Sequence, residues 1–223
     1  MTKKLFASAL SKFIAGIFLV GLFVFLPAGT LSFINGWIFM AVLFVPMTVL
    51  GGLLMIKNPA LLEKRLQAKE QRSQQDLVQK LSGLMFIGGF VVAGLGFRFG
   101  WFTLPLWSSY AAAAVFLICY GLYAEVMREN TYLSRTVQVQ ENQKVVSTGL
   151  YSIVRHPMYS VTVILFLTVP LILGSVYSFA VFLCYPFIIG KRIKDEETLL
   201  EKELEGYSEY KSRVKYRLIP FIW

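Results

Sequence analysis

Charge is scarce in this sequence, and negative charge is scarcest: Lys, Arg, Asp and Glu make up 16% of its 223 residues, with 13 acidic residues against 22 basic ones. Soluble domains carry roughly 25% charge and about 45–50% apolar residues, whereas 56% of this chain is hydrophobic. Disorder and an ordinary soluble core are both excluded. Histidine occurs once, at His156, and the two cysteines, Cys119 and Cys184, fall inside apolar runs without metal-ligand spacing. They read as packing residues, so neither a disulfide framework nor a metal site is expected. There is no P-loop, no CxxC pair and no GxSxG elbow. Gly94-x-Gly96 followed by Gly100 is a fragment of a dinucleotide loop, but no strand precedes it and it lies in an apolar run.

What the chain has instead is apolar length. No residue from 13 to 56 is charged, a stretch roughly twice the ~20 residues that cross a bilayer as helix. Pro27, Ala28, Gly29 and Thr30 form a turn cluster within it, which predicts spans over 13–29 and 33–56. Further runs cover 81–97 and 104–126. The last run, 159–189, would extend about 46 Å as one helix at ~1.5 Å per residue, too long for a hydrocarbon core of ~30 Å. Pro170 and Gly174 near its middle predict a short helical hairpin. Glycines 83, 88, 89, 94 and 96 would let helices approach closely. The fold class is an all-α integral membrane protein with about six transmembrane helices, five being the alternative.

Charge placement bears on that choice. Lys3, Lys4 and Lys12 precede the first span and put the N-terminus in the cytoplasm. With six spans, the 57–80 loop, the 127–158 segment and the tail from Lys191 share that side, leaving Arg98 as the one basic residue outside. Five spans would export a tail carrying eight Lys and Arg. Six spans are therefore favoured, with both termini cytoplasmic. The net charge of +9 is then orientation, and nucleic acid is not needed to explain it. The N-terminus also has features of a signal peptide, but a second span follows almost at once. Asn58-Pro59 and helix-forming residues in 57–80 predict an interfacial helix.

The C-terminal half carries the candidate chemistry. Glu125, Arg128, Glu129 and Asn130 read as solvated interface charge where the fourth span ends. Residues 136–140 alternate like a short strand, and Glu141-Asn142-Gln143 reads as a turn before Lys144-Val145-Val146, predicting a small hairpin. The next stretch, GLYSIVRHPMY (149–159), delivers His156 to the membrane surface. Pro157 biases His156 to an extended backbone and can start a helix, whose N-terminal N–H groups would face an anion. An isolated Arg-His pair reads as a headgroup contact, but Tyr151 and Tyr159 flank this one. A second polar cluster follows the hairpin. There Ile193, Leu200, Leu204 and Tyr207 form one helical stripe, and Glu196 and Glu197 fall where apolar residues belong. At least one carboxylate should face inward, with His156, Arg155 or ligand hydroxyls as partners.

The order GLYSIVRHPMY, apolar hairpin, RIKDEETLL (192–200), GYSEYKSRV (206–214) and YRLIP (216–220) resembles the isoprenylcysteine carboxyl methyltransferase family and related membrane phospholipid methyltransferases. The likeness covers about residues 125–223. Leu150 stands where that family often has proline, and Val161 where a glycine commonly follows the motif. The resemblance implies an S-adenosylmethionine-dependent membrane methyltransferase whose cofactor sits in a cytoplasmic C-terminal segment, without a Rossmann domain. It divides the chain into N-terminal helices, 1–103, and a core, 104–223, made of a span (104–126), a loop (127–158), the hairpin (159–190) and a C-terminal helix (191–223). It implies that Val145, Val146, Tyr151, His156, Pro157, Met158, Tyr159 and Glu196 line the cofactor, and that Arg155, Arg192 and Glu197 serve the reaction.

The acceptor decides what those residues must do. A carboxylate, with a reference pKa near ~4, is already a nucleophile and needs only an arginine to position it. A lipid amine is protonated and needs a base, Glu197 or His156. Carboxyl methylation of a prenylated, isoprenylcysteine-like acceptor is the expectation, with phospholipid N-methylation as the alternative. A non-catalytic transporter or lipid-binding protein would place ionisable residues along the spans, which are almost free of charge.

Overall fold

A computed structural model describes residues 3–66, 73–134 and 136–223. Along it run α1 (Lys3–Ala28), α2 (Ile34–Lys57), α3 (Pro59–Leu66), α4 (Ser73–Arg98), α5 (Leu106–Glu129), α6 (Pro157–Ile172), α7 (Val176–Phe182), α8 (Tyr185–Glu203) and α9 (Tyr207–Arg213). A 3-10 turn, Gly149–Ser152, precedes α6. Among the described residues five segments are long and apolar enough to cross a membrane: α1, α2, α4, α5 and the stretch Val176–Glu203 formed by α7 and α8. The chain is an integral membrane protein by this measure, and the helices follow the uncharged runs closely.

The turn between α1 and α2 falls at the Pro27–Thr30 cluster, where Gly29 takes φ 69°. The 159–189 run folds back at its proline and glycine. Pro170 lies in the last turn of α6, its carbonyl accepts from Ser175 N–H at 2.9 Å, and Gly174 turns the chain at φ 69°. Ser175 Oγ then caps α7 by accepting from Ser178 N–H at 3.2 Å. The two arms are unequal. α6 has 16 residues, about 24 Å at ~1.5 Å per residue, short of a full ~30 Å core. The returning arm is 28 residues long and breaks at Leu183–Cys184, just ahead of Pro186, whose ring nitrogen cannot continue the ladder.

Hydrogen bonds fix which helix ends meet. At one end Asn35 Nδ2 donates to Ser109 Oγ (2.7 Å) and Ile172 O (3.1 Å), and Leu104 N–H donates to Gly174 O (2.9 Å). Arg98 lies there too, within van der Waals reach of the Gly29 position. At the other end Lys12 Nζ reaches Leu66 O (2.6 Å), Arg65 of α3 reaches Tyr123 Oη and Ser134 O, and Gln75 Nε2 reaches Asp195 Oδ2 (2.5 Å). This second end gathers the polar residues of α5, α6 and α8.

Glycine lets the helices close up at two of the five expected positions. A Cβ on Gly94 would sit 2.7 Å from Val24 O and 2.9 Å from Ala28 N, so the α1–α4 crossing is backbone against backbone there. A Cβ on Gly89 would collide with the Phe182 ring. Gly83 and Gly88 face open space, and Gly96 lies under Trp101. One apolar core, including Phe39, Phe90, Phe116, Leu165, Ile172, Phe182 and Ile193, runs through the bundle.

Two expectations are corrected. Among the described residues 136–146 contains no strand: the turn at Glu141–Asn142 forms, with Asn142 at φ 57°, but its flanks are irregular. Gln140 N–H is taken by the Gln143 side chain (2.9 Å) and the Gln140 side chain by Tyr132 O, so side chains replace the ladder. Residues 191–223 are not one helix. α8 ends at Glu203, Gly206 turns left-handed at φ 80°, α9 is short, and 214–223 is an irregular tail. The interfacial helix expected in 57–80 is α3 followed by the first turns of α4, with 67–72 outside the described residues.

Candidate functional site

Where α5, α6 and α8 end together, the 130–151 segment and α9 enclose a cleft with about 830 Å³ of empty space including its open mouth. Val145, Val146, Tyr151, Arg155, His156, Met158, Tyr159, Arg192 and Glu196 line it, so nine expected site residues from three separate segments meet in its lining. Pro157 and Glu197 are not among the lining residues.

Pro157 begins α6 and sets its angle. Glu197, expected at the reacting centre, stands behind the wall. It is 3% exposed and accepts from Arg155 Nε (2.8 Å), His156 Nε2 (3.2 Å) and Arg217 Nε (2.9 Å). A buried carboxylate needs such partners, and here two are permanent cations. Arg155 also donates through Nη1 to Val214 O and Lys215 O, each at 2.7 Å. The amides of Arg155 and His156 donate to Tyr216 O and Arg217 O (both 2.9 Å), and Ser160 Oγ to Leu218 O (2.7 Å). The tail is thereby strapped across the start of α6.

The cleft face is built differently. Arg192 Nε donates to Tyr159 Oη (2.8 Å), which donates onward to Glu196 Oε2 (2.6 Å). Arg192 and Glu196 are one turn apart on α8, so the helix presents both to Tyr159 on α6. The His156 ring stacks on Tyr159 at 5.7 Å between centroids. Three arginines, Arg155, Arg192 and Arg217, face two glutamates, Glu196 and Glu197, giving this end of the cleft a positive balance.

Residues to which the sequence reading gave no site role also line the cleft. Asn130, read as interface charge, donates to Tyr151 Oη (2.9 Å). Tyr210 Oη donates to Tyr151 O (2.7 Å), and burial pushes its phenol up to about 12. Tyr207, read as part of an apolar stripe, is 4% exposed and its hydroxyl is buried without a hydrogen-bond partner among the described residues. A paired Tyr-x-x-Tyr beside a turn glycine was the available signal. Arg217 carried none beyond its place in YRLIP. Leu150, the departure from proline, donates its N–H to Glu129 Oε2 (3.1 Å), a bond proline cannot make.

Residues 111–202 match the isoprenylcysteine carboxyl methyltransferase (ICMT) family model. That stretch is similar to the ICMT family, which by its description is one of methyltransferases. The ICMT match runs from α5 nearly to the end of α8, so it contains Arg155 to Tyr159, Arg192, Glu196 and Glu197 and begins earlier than the resemblance read from motifs. α1 to α4, α9 and the tail lie outside it. No curated protein matches the chain significantly.

Proposed function

We propose that this protein is an S-adenosylmethionine-dependent methyltransferase that O-methylates the carboxylate of a lipidic, isoprenylcysteine-like acceptor. The observation that carries the reading is the convergence on one cleft of His156, Tyr159, Arg192 and Glu196, all four within the stretch that matches the ICMT family model. The residues present fit the cofactor: Glu196 can accept from ribose hydroxyls or balance a sulfonium, tyrosine faces attract a cation, and the buried Tyr207 hydroxyl is a polar atom awaiting a partner. Val145, Val146, Tyr151, His156, Met158, Tyr159 and Glu196 would hold it.

When bound, S-adenosylmethionine supplies an electrophilic methyl group on sulfur. The chain's own work is then orientation and exclusion of water. Arg192, oriented by Tyr159, positions the acceptor carboxylate, and Arg155 adds to the positive balance. Glu197 acts through others: it holds Arg155, His156 and Arg217 in place and is a positioning residue. N-methylation is disfavoured because Glu197, one of the two expected bases, is engaged by three donors. The clustering of basic residues at the cleft end, with Arg98 opposite, supports a cytoplasmic cleft and cytoplasmic termini. A site at the ends of the spans suits an acceptor reaching it from the bilayer.

The test is transfer of labelled methyl from S-adenosylmethionine by protein purified in detergent. A blocked S-farnesylcysteine should become an alkali-labile methyl ester, while phosphatidylethanolamine vesicles remain unlabelled. Label in the amine instead would overturn the acceptor assignment.

A further inference from the structure

α9 places two tyrosines on one turn with opposite fates. Both are buried, Tyr207 at 4% and Tyr210 at 2% exposed, and their rings lie 5.8 Å apart. The Tyr210 hydroxyl is bonded to Tyr151 O. The Tyr207 hydroxyl is shut off from solvent and bonded to no described residue, although its residue lines the cleft. A buried hydroxyl left without a partner costs about 1–3 kcal/mol, and a phenylalanine would fill the same space without that cost. The oxygen therefore answers to something outside the described protein atoms.

The surroundings narrow what that is. Val145, Leu200, Leu204 and Tyr210 pack around Tyr207 and also line the cleft, forming an apolar slot in which the Tyr210 hydroxyl is bonded and the Tyr207 hydroxyl is not bonded to any described residue. A charged group would be desolvated among these apolar side chains. A flat heteroaromatic base would not: it stacks on aliphatic and aromatic surface and needs few directed bonds. Burial first, then the Glu197 and Glu196 carboxylates, hold the Tyr207 phenol well above the usual tyrosine range. The hydroxyl is thus protonated, able to donate to a ring nitrogen or accept from an exocyclic amine.

We propose that Tyr207 is a cofactor-specificity residue whose hydroxyl contacts the nucleoside base of the methyl donor in the slot formed by Val145, Leu200, Leu204 and Tyr210. This rests on the methyltransferase reading above and adds to it a residue outside the family match. It also orients the cofactor, with the base toward α9 and the reacting end toward Arg192 and Glu196.

The test is Tyr207→Phe, read by calorimetric binding of S-adenosylhomocysteine and of adenosine, and by thermal unfolding of the ligand-free protein. The expected result is binding weakened about 3- to 10-fold, by the same factor for both ligands, with ligand-free unfolding temperature unchanged or raised. Equal binding by variant and parent would overturn the proposal while leaving the methyltransferase reading intact. A penalty seen with S-adenosylhomocysteine but not with adenosine would overturn it by moving the contact to the amino-acid end. Weaker binding together with a lowered unfolding temperature would make the hydroxyl structural and overturn it also. Failure of the parent protein to bind S-adenosylhomocysteine would sink the underlying reading itself.

Discussion

Glu197 separates a structural carboxylate from a chemical one. Its oxygens accept from Arg155, His156 and Arg217, and the side chains of Arg155, His156 and Glu197 are only 4–5% exposed. Glu197→Ala leaves the Arg155 cation buried without its carboxylate, a change that costs about 3–5 kcal/mol. The Arg217 contact adds little, because that side chain is 27% exposed and solvent screens it. At about 2–4 °C per kcal/mol for a chain of this size, the unfolding temperature should fall by about 6–20 °C. Glu197→Gln keeps the shape but not the charge and should lose at least about 1.5 kcal/mol, the low end for hydrogen bonds to charged groups. Thermal unfolding in detergent at one fixed scan rate measures both, since unfolding there is expected to be irreversible. A Glu197→Gln protein that unfolds like the parent yet transfers no methyl would refute the reasoning and return Glu197 to the reacting centre.

Other consequences follow from single contacts. Tyr159→Phe removes the hydroxyl linking Arg192 to Glu196, and should lower methyl transfer by about 10-fold or more, with S-adenosylhomocysteine binding showing whether the cofactor or the acceptor side suffers. Gly94→Ala puts a methyl 2.7 Å from Val24 O and should cost about 1–3 kcal/mol, whereas Gly88→Ala, in open space, should be neutral by the same unfolding assay. Gly149→Ala forces a side chain onto φ 50° and against the Glu129 carboxylate; it should displace the 3-10 turn carrying Tyr151 and weaken binding of S-adenosylhomocysteine. The Tyr210 phenol, raised from 10.0 to about 12 in the folded protein, favours folding fully below pH ~10, and that contribution is lost as pH rises toward 12. Tyr210→Phe should flatten that alkaline decline.

The helices were legible because lipid forces the issue: uncharged length and turn residues such as Pro27–Gly29 and Pro170–Gly174 leave few alternatives. The expected strand at 136–140 failed because alternation describes a two-sided environment, and the 130–151 segment has a cleft on one side without a partner strand on the other. Candidate site residues were visible as ionisable groups out of place in an apolar chain. Which carboxylate faced the cleft was not visible, since Glu196 and Glu197 differ by one helical step of about 100°, and only the packing of α8 against α6 and the tail decides it. Tyr207 was hidden for a related reason. Its ring belongs to an apolar stripe, and the fate of a single hydroxyl is a tertiary fact.

The central claim is that the cleft between α5, α6, α8 and α9 holds a methyl donor. Calorimetric titration of the purified protein with S-adenosylhomocysteine tests it most directly, with Glu196→Ala and a surface control, Lys80→Ala, alongside. The account predicts one site per chain, lost or greatly weakened in Glu196→Ala and kept in Lys80→Ala. No binding by the parent, or binding that Glu196→Ala leaves untouched, would contradict it.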